Sequence, residues 1–174
     1  MPQTRGRAVD EPPPEDQSVS YPTFPPVSDA SCQTMLDVLE AETASASVIQ
    51  IFNWHDGIYP GGSTLASYDG TKAEQAFMQL RKALTTCKSY TGTGWTGKYT
   101  AQVTMEEYSL LGDETLSLRI TGPTEVGMRN EQFVIVRVGN TTAAFSSMDV
   151  DRPAEFPREL INRQVERLSN SPLR

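Results

Sequence analysis

The side chains best suited to small-molecule chemistry lie close together in one short stretch of the chain, which contains Trp54, His55, Asp56 and Tyr59. Exposed aromatic rings beside a polar pair are typical of the rim of a ligand site, because rings supply flat apolar area and polar groups fix orientation. We therefore interpret these four as candidate ligand-binding residues. The alternative is that Trp54 belongs to the core and that His55 and Asp56 form an ordinary turn.

Three more aromatic residues could add a wall to the same ligand site. Trp95 follows a stretch rich in Gly, Thr and Ser, Tyr99 begins an alternating segment, and Tyr108 follows that segment. Tyr99 also has a plain alternative as a core residue, because alternate side chains of a strand point to the buried face.

An enzymatic function would need an acid or a base near this site. His55 is the only histidine of the chain, and its unperturbed pKa lies near neutrality. Neighbouring residues on a strand point apart, so sequence adjacency alone does not make a dyad of His55 and Asp56. Glu106 could be a general acid or base if it were buried, and otherwise lies at a solvated strand end. His55, Asp56 and Glu106 are therefore the catalytic candidates if the protein is an enzyme.

Several motifs that carry enzyme chemistry are missing from the sequence. It has no GxSxG, no P-loop and no GxGxxG, so nucleophilic hydrolysis, nucleotide binding and dinucleotide chemistry lack support. One histidine and two cysteines are too few for a structural zinc site, which normally takes four ligands. We expect no metal and no cofactor.

Composition limits the range of partners. Net charge is −7 and the pI is about 4.7, which argues against nucleic acid and against an anionic membrane surface, since both attract clustered Lys and Arg. No apolar run approaches the ~20 residues of a membrane span. The first residues lack the hydrophobic region of a signal peptide. Either the protein is cytosolic, or an export segment has been removed.

The elements that must position these residues begin after a proline-rich segment. Residues 1–28 contain seven of the twelve prolines and are expected to be a disordered tether. Residues 29–170 then form one domain, and residues 171–174 form a tail. Apolar spacing predicts helices over about 29–44 and 71–87 and a third from Pro157, with a Thr71–Glu74 capping box on the second.

Alternating or β-branched stretches predict about six strands between these helices. They cover 47–54, 63–68, 98–105, about 115–121, and the hairpin 133–138 and 141–146 with a Gly139-Asn140 turn of the primed type. Residues 88–97 are expected to be a loop. The predicted order is α-β-β-α-β-β-β-β-α, an α+β fold in which an antiparallel sheet packs on about three helices.

The two cysteines are predicted to lie at the start of the first helix and the end of the second. A bond between Cys32 and Cys87 would join these helices and close a loop of over fifty residues, worth about 4 kcal/mol by the chain-entropy estimate. Two buried free thiols are the alternative. We favour the disulfide, which would indicate an oxidising compartment.

The order of these features resembles a known family. A Cys-bearing helix is followed by SVIQIFNW, by A-x-x-A-F-x-x-L-R-x-A-L-x-x-C at 73–87, by a Gly/Thr-rich loop with Trp95, by strands containing LGDET, and by a closing helix. This resembles the extracytoplasmic sensor domain of the mycobacterial PknH receptor kinase, which also occurs in stand-alone actinobacterial lipoproteins. The resemblance covers about residues 29–170. It implies an exported, disulfide-bonded domain whose sheet and helices enclose a ligand cleft.

Cys32 and Cys87 match one disulfide of that family by position, and the family's second disulfide has no counterpart here. The sequence contains no kinase domain or membrane span, so the resemblance does not extend to kinase signalling.

Three functions remain open from the sequence. The first is an exported, non-catalytic binding or sensor module for a small or cell-envelope-derived molecule. The second is a cofactor-free enzyme of the cyclase or isomerase type, and the third is a structural interaction protein. For the first we expect a monomeric, extracytoplasmic protein that binds no nucleic acid and meets the membrane only through a removed anchor. Free cysteines would instead indicate a cytoplasmic protein.

Overall fold

Apolar residues at every second position form strands in most of the chain after residue 88, and apolar residues at helical spacing form three helices. The computed structural model describes residues 24–54 and 57–171. The predicted tether up to residue 23 and the end of the tail, 172–174, lie outside the described residues. The elements, in chain order, are α1 (Ala30–Leu39), β1 (Ala46–Phe52), β2 (Gly61–Ser67), α2 (Lys72–Thr86), β3 (Ser89–Gly94), β4 (Gly97–Glu106), β5 (Glu114–Thr124), β6 (Gly127–Val138), β7 (Thr141–Val150) and α3 (Arg158–Ser169).

In the described part of the chain, seven strands form one antiparallel sheet in the order β1-β2-β7-β6-β5-β4-β3. The predicted fold class is confirmed, but the prediction of about six strands and of a loop over 88–97 was wrong. Residues 89–94 pair with β4 as a hairpin, with Tyr90 opposite Ala101. Composition concealed this strand, because Gly and Ser are uncommon in strands, whereas cross-strand pairing supplies the stabilisation here.

One face of the sheet packs against α1 and α2. The apolar stripe of α2 is buried as its spacing predicts, with Phe77, Leu80 and Leu84 each at most 1% exposed. These side chains meet the inward residues of β4, β5 and β6, among them Leu118 and Ile135. The predicted alternation of β5 therefore sets which of its residues enter this core.

The other face packs against α3. Ile161 and Val165 of α3 contact a second cluster that includes Val134, Val136 and Phe145. The predicted register of the β6–β7 hairpin is confirmed, since Val136 pairs with Ala143 and Val134 pairs with Phe145. This register directs one set of side chains to α3 and the alternate set to α1 and α2.

Two helix ends differ from their predictions. Thr71 is the N-cap of α2 but its side chain caps no backbone N–H, and its hydroxyl instead accepts a hydrogen bond from Gln75 at 3.1 Å. The predicted capping box is therefore wrong. Helix α1 ends at Leu39 rather than near residue 44, because the chain takes a left-handed conformation at Ala41 (φ 57°).

Cys32 and Cys87 form the predicted disulfide, with their Cα atoms 4.9 Å apart. Both are almost fully buried in the core between α1, α2 and the sheet. The bond joins the first turn of α1 to the end of α2, so it closes 55 residues that include β1 and β2.

Candidate functional site

Helix α3 packs against only part of one sheet face. The rest of that face, on β3, β4 and β5, is open and polar. Residues directly opposite each other in neighbouring strands share a face, and Ser89 of β3, Gln102 of β4 and Thr121 of β5 are opposite one another in this way. Thr91 and Thr100 form the next pair on the same face. Helix α3 covers only the β6 and β7 end, so these side chains line an open surface.

A charged and amide network lies where this polar surface meets α3. Arg119 Nε donates to Glu106 Oε1 at 2.6 Å and Arg119 Nη2 donates to Glu106 Oε2 at 3.3 Å. Gln132 Nε2 also donates to Glu106 Oε2, at 3.2 Å. The side chains of Arg119 and Glu106 are only 17% and 27% exposed, so this is a half-buried, bidentate ion pair with a third donor.

The same network holds the segment that leads into α3. Arg119 Nη1 donates to the Ala154 carbonyl at 3.1 Å, and the backbone N–H of Phe156 donates to Gln132 Oε1 at 3.2 Å. The two polar side chains therefore fix the backbone of this segment against the sheet. A ligand that contacted the network would also contact the start of α3.

A groove of about 710 Å³ lies over this network, and we call it the α3 groove. It is lined by Glu106, Glu107, Tyr108, Arg119, Gln132, Glu155, Phe156, Pro157 and Arg158. Its volume is in the range of sites for small organic molecules.

The outer wall of the groove combines an aromatic ring with a cation. The Arg158 guanidinium lies 5.1 Å from the centre of the Tyr108 ring, and Arg158 Nη2 donates to Ser109 Oγ at 2.7 Å. Such a stacked Arg keeps hydrogen-bond donors free at a fixed position. The wall can therefore contact both an apolar surface and an acceptor group of a ligand.

One hydroxyl beside the groove has no hydrogen-bond partner among the described residues. Ser117 Oγ is buried and unpaired, and Ser117 lies directly opposite Glu106 in the β4–β5 ladder.

Trp54 packs behind the groove rather than on an exposed rim. Its ring stacks on Phe52 with 5.7 Å between centroids and meets Phe156, a groove residue, edge-on at 5.6 Å. Trp54 is thus part of the α3-side apolar cluster and supports one side of the groove. Tyr59 is half-buried in the connection between β1 and β2.

A second depression continues the open face toward β3. It has a volume of about 490 Å³ and its lining includes Ser89, Thr91, Thr100, Gln102 and Thr121. These are side chains with hydrogen-bonding groups and little apolar area, so the depression could extend the α3 groove for a polar ligand.

Two of the predicted ligand-binding residues lie elsewhere. Trp95 is 77% exposed in the β3–β4 turn, at the opposite edge of the sheet from β1 and Trp54, and its ring meets the Phe24 ring edge-on. Tyr99 lies on the face that packs against α1 and α2, where it meets Tyr90 edge-on at 6.1 Å. The structure thus brings Glu106 and Tyr108 to one groove, with Trp54 packed behind it against Phe156. His55 and Asp56 lie outside the described residues.

Two residues with raised pKa values, Tyr90 and Glu131, lie on the sheet face that packs against α1 and α2. Burial is the main cause that raises the pKa of Tyr90 to about 12, with a smaller contribution from Tyr99. Burial also raises the pKa of Glu131, against the opposing effect of Arg129. Neither group contacts the α3 groove, so their titration belongs to the core and not to this site.

Arg119, Gln132, Phe156 and Arg158 are groove residues that the sequence did not single out. Arg119 could have been identified from the sequence. It lies on the polar side of an alternating strand, where a neighbouring strand can supply a carboxylate partner. The others had none, since their position depends on how α3 crosses the sheet.

No known protein family matches this chain, and no curated protein is significantly similar to it. In the part of the chain that the structure describes, no helix is long and apolar enough to cross a membrane. The same residues contain no group of three or more His, Cys, Asp and Glu side chains placed to hold a metal ion.

Proposed function

We propose that this protein is an extracytoplasmic binding or sensor module that receives a small organic or cell-envelope-derived molecule in the α3 groove. The observation that carries this proposal is the half-buried network of Glu106, Arg119 and Gln132 beneath an open groove with an aromatic and cationic wall. A concave site with a few fixed polar groups and apolar walls is suited to bind such ligands.

The disulfide and the family resemblance support the location and the class. A disulfide that joins α1 to α2 is stable in an oxidising compartment, whereas cytosolic thiols are kept reduced. The resemblance to the PknH sensor domain implies the same kind of function, a cleft between sheet and helices that binds a ligand.

The contacts of Glu106 favour binding over catalysis. Both of its oxygens accept hydrogen bonds, two from Arg119 and one from Gln132. A carboxylate held in this way is suited to fix its partners in place, whereas a general acid or base needs an oxygen free to reach the substrate. A ligand is therefore expected to leave the groove chemically unchanged.

The test is a screen for ligands that raise the melting temperature, with small polar molecules and fractionated envelope extract as the probes. A ligand of the groove should stabilise the wild type and Arg163→Ala but stabilise Arg158→Ala much less, because Arg158 lines the groove. Arg163 is the matched control, since it lies on the same helix, pairs with Glu159 at 2.7 Å and is not among the groove residues.

Mass spectrometry of any co-purifying molecule should identify the same ligand class. Equal stabilisation of all three proteins would place the ligand outside the α3 groove. Conversion of the ligand to a product would favour the enzymatic alternative.

A further inference from the structure

The strand β1 forms one edge of the sheet and pairs only with β2. Six of its seven residues are exposed. An edge strand presents unpaired backbone N–H and C=O groups, which are a template for pairing with another strand.

The apolar side chains of β1 are unusually exposed for a soluble domain. Val48, Ile49 and Ile51 are 67%, 71% and 66% exposed, and they project on both faces of the strand. Ile49 and Ile51 share one face because alternate residues point the same way, and Val48 lies on the other. Among residues 24–54 and 57–171, therefore, no element covers this apolar surface.

The ladder identifies the backbone groups that point outward. The N–H of Tyr68 donates to the carbonyl of Asn140, which continues the β2–β7 register, so even-numbered residues of β2 bond toward β7. The odd-numbered residues of β2 then bond to β1, opposite its even-numbered residues. It follows that Ser47, Ile49 and Ile51 direct their N–H and C=O groups away from the sheet.

The opposite edge of the sheet is protected, whereas β1 is not. At β3, the N–H of Ser28 donates to the Thr91 carbonyl and the N–H of Thr91 donates to the Ser28 hydroxyl, each at 2.9 Å. No described residue forms a comparable contact with β1. The sequence 46–54 also lacks Lys, Arg, Asp, Glu and Pro, which usually block edge pairing.

We propose that β1 pairs antiparallel with β1 of a second copy of this chain, about a two-fold axis at Ile49. Ile49 would face Ile49 of the second copy. Ser47 of each copy would face Ile51 of the other. This pairing forms about six backbone hydrogen bonds and continues the sheet across both copies. It departs from the monomer expected from the sequence, because the sequence did not show that β1 lies exposed at an edge.

A second copy fits this edge better than an unrelated partner. The pairing is self-complementary, as an interface with two-fold symmetry requires, and it gathers Ile49 and Ile51 of both copies into one apolar stripe. Each copy has a net charge of −7, which opposes self-association through long-range repulsion. The interval 46–54 carries no charged side chain, so no like charges would meet directly along the paired strands. One strand per copy buries a small area, so the dimer is expected to be weak and dependent on concentration.

The experiment combines sedimentation or light scattering over a range of concentrations with amide hydrogen exchange. Dimer formation should slow exchange at Ser47, Ile49 and Ile51 as concentration rises. The amides of Val48 and Gln50 already bond to β2, so their exchange should change much less.

Two variants test the geometry. Ile49→Pro removes an outward N–H without removing a bond to β2, and Ile49→Lys places like charges together at the axis. Each should weaken dimerisation by at least about tenfold while the melting temperature stays near that of the wild type. Val126→Lys is the matched control, because Val126 is 73% exposed in the β5–β6 turn, and it should dimerise like the wild type.

A monomer at every concentration would overturn the proposal, and so would a dimer that both Ile49 variants leave unchanged. Slow exchange at Ile49 that is independent of concentration would assign the edge to another segment of the same chain and would also overturn it.

Discussion

At the scale of single residues, Arg119 links the carboxylate of Glu106 to the backbone segment that leads into α3. It forms a bidentate ion pair with Glu106 and a hydrogen bond to the Ala154 carbonyl, and its side chain is mostly buried. A half-buried ion pair adds little net stability compared with an apolar pair, but the loss of one partner leaves the other desolvated and unpaired. This asymmetry makes Arg119 testable by a single substitution.

We expect Arg119→Met to lower the free energy of unfolding by about 1–3 kcal/mol, measured by urea denaturation, because it leaves Glu106 half-buried without its cation. Arg81→Met is the control. Arg81 also pairs with a glutamate, Glu114, at 2.9 Å, but its side chain is 54% exposed, so we expect a loss below about 1 kcal/mol. Equal losses in both variants would show that the Arg119 network has no special role.

Glu131 predicts a pH dependence of stability. Burial raises its pKa in the folded state above that of the unfolded chain, so the folded state binds the proton more tightly. Stability therefore falls as pH rises from the unfolded pKa through the folded pKa, and the cost of the charge is fully present above it.

We expect Glu131→Gln to be more stable than the wild type at pH 7, and this difference should disappear at a pH below the unfolded pKa. Urea denaturation at several pH values measures it. Glu125→Gln, in the exposed β5–β6 turn, is the control for the loss of one surface carboxylate. A Glu131→Gln protein that is less stable at pH 7 would mean that the attraction to Arg129 outweighs burial.

At the scale of elements, the β6–β7 hairpin is the part whose geometry followed most directly from local sequence. Gly139 has a positive φ of 59°, and the turn is therefore of a primed type with Gly at its first central position. A Cβ at this position would meet no atom within 4 Å. The requirement for Gly is thus purely one of backbone conformation.

We expect Gly139→Ala to destabilise the protein by about 1 kcal/mol, because a residue with a Cβ is strained at positive φ. Asn140→Ala, at the neighbouring turn position, should cost less, since Asn140 does not have a positive φ. Urea denaturation of both variants measures the difference. If the two losses were equal, the conformation of Gly139 would not determine the turn.

At the scale of the whole molecule, the Cys32–Cys87 bond joins two helices that are far apart along the chain. It closes 55 residues, and the chain-entropy estimate for such a loop is about 4 kcal/mol. That is a large fraction of the stability of an ordinary domain, which is about 5–15 kcal/mol. The oxidised state is therefore expected to be important for the fold.

We expect the Cys32→Ala/Cys87→Ala double variant to lose about 4 kcal/mol in urea denaturation. Thiol titration of the denatured, unreduced wild type should find no free cysteine, in agreement with the structure. Addition of a reductant should lower the melting temperature of the wild type and leave that of the variant unchanged. Two titratable thiols in protein purified under non-reducing conditions would remove the argument for an oxidising compartment.

The sequence by itself determined most of the elements and, within them, the face to which the side chains point. The stripe Phe77, Leu80 and Leu84 on α2, the alternation in β5 and the Gly139 turn are local properties, because helix and strand periods act over a few residues. The sequence also favoured the pairing of Cys32 with Cys87 over two free thiols, and the structure contains this bond. Strand β3 escaped the prediction because its two glycines indicate a loop, whereas pairing with β4 stabilises the strand.

Only the tertiary structure decided which residues meet. The sequence suggested Trp54 and Trp95 as parts of one ligand site. The strand order instead places them at opposite edges of the sheet. Arg119 and Phe156 come together because α3 crosses β6 and β7, which no local pattern encodes. The exposure of Ile49 likewise depends on the position of β1 at the edge of the sheet. Contacts between residues that are far apart in sequence depend on how the apolar faces of helices and sheet pack against one another. No short stretch of sequence contains that information.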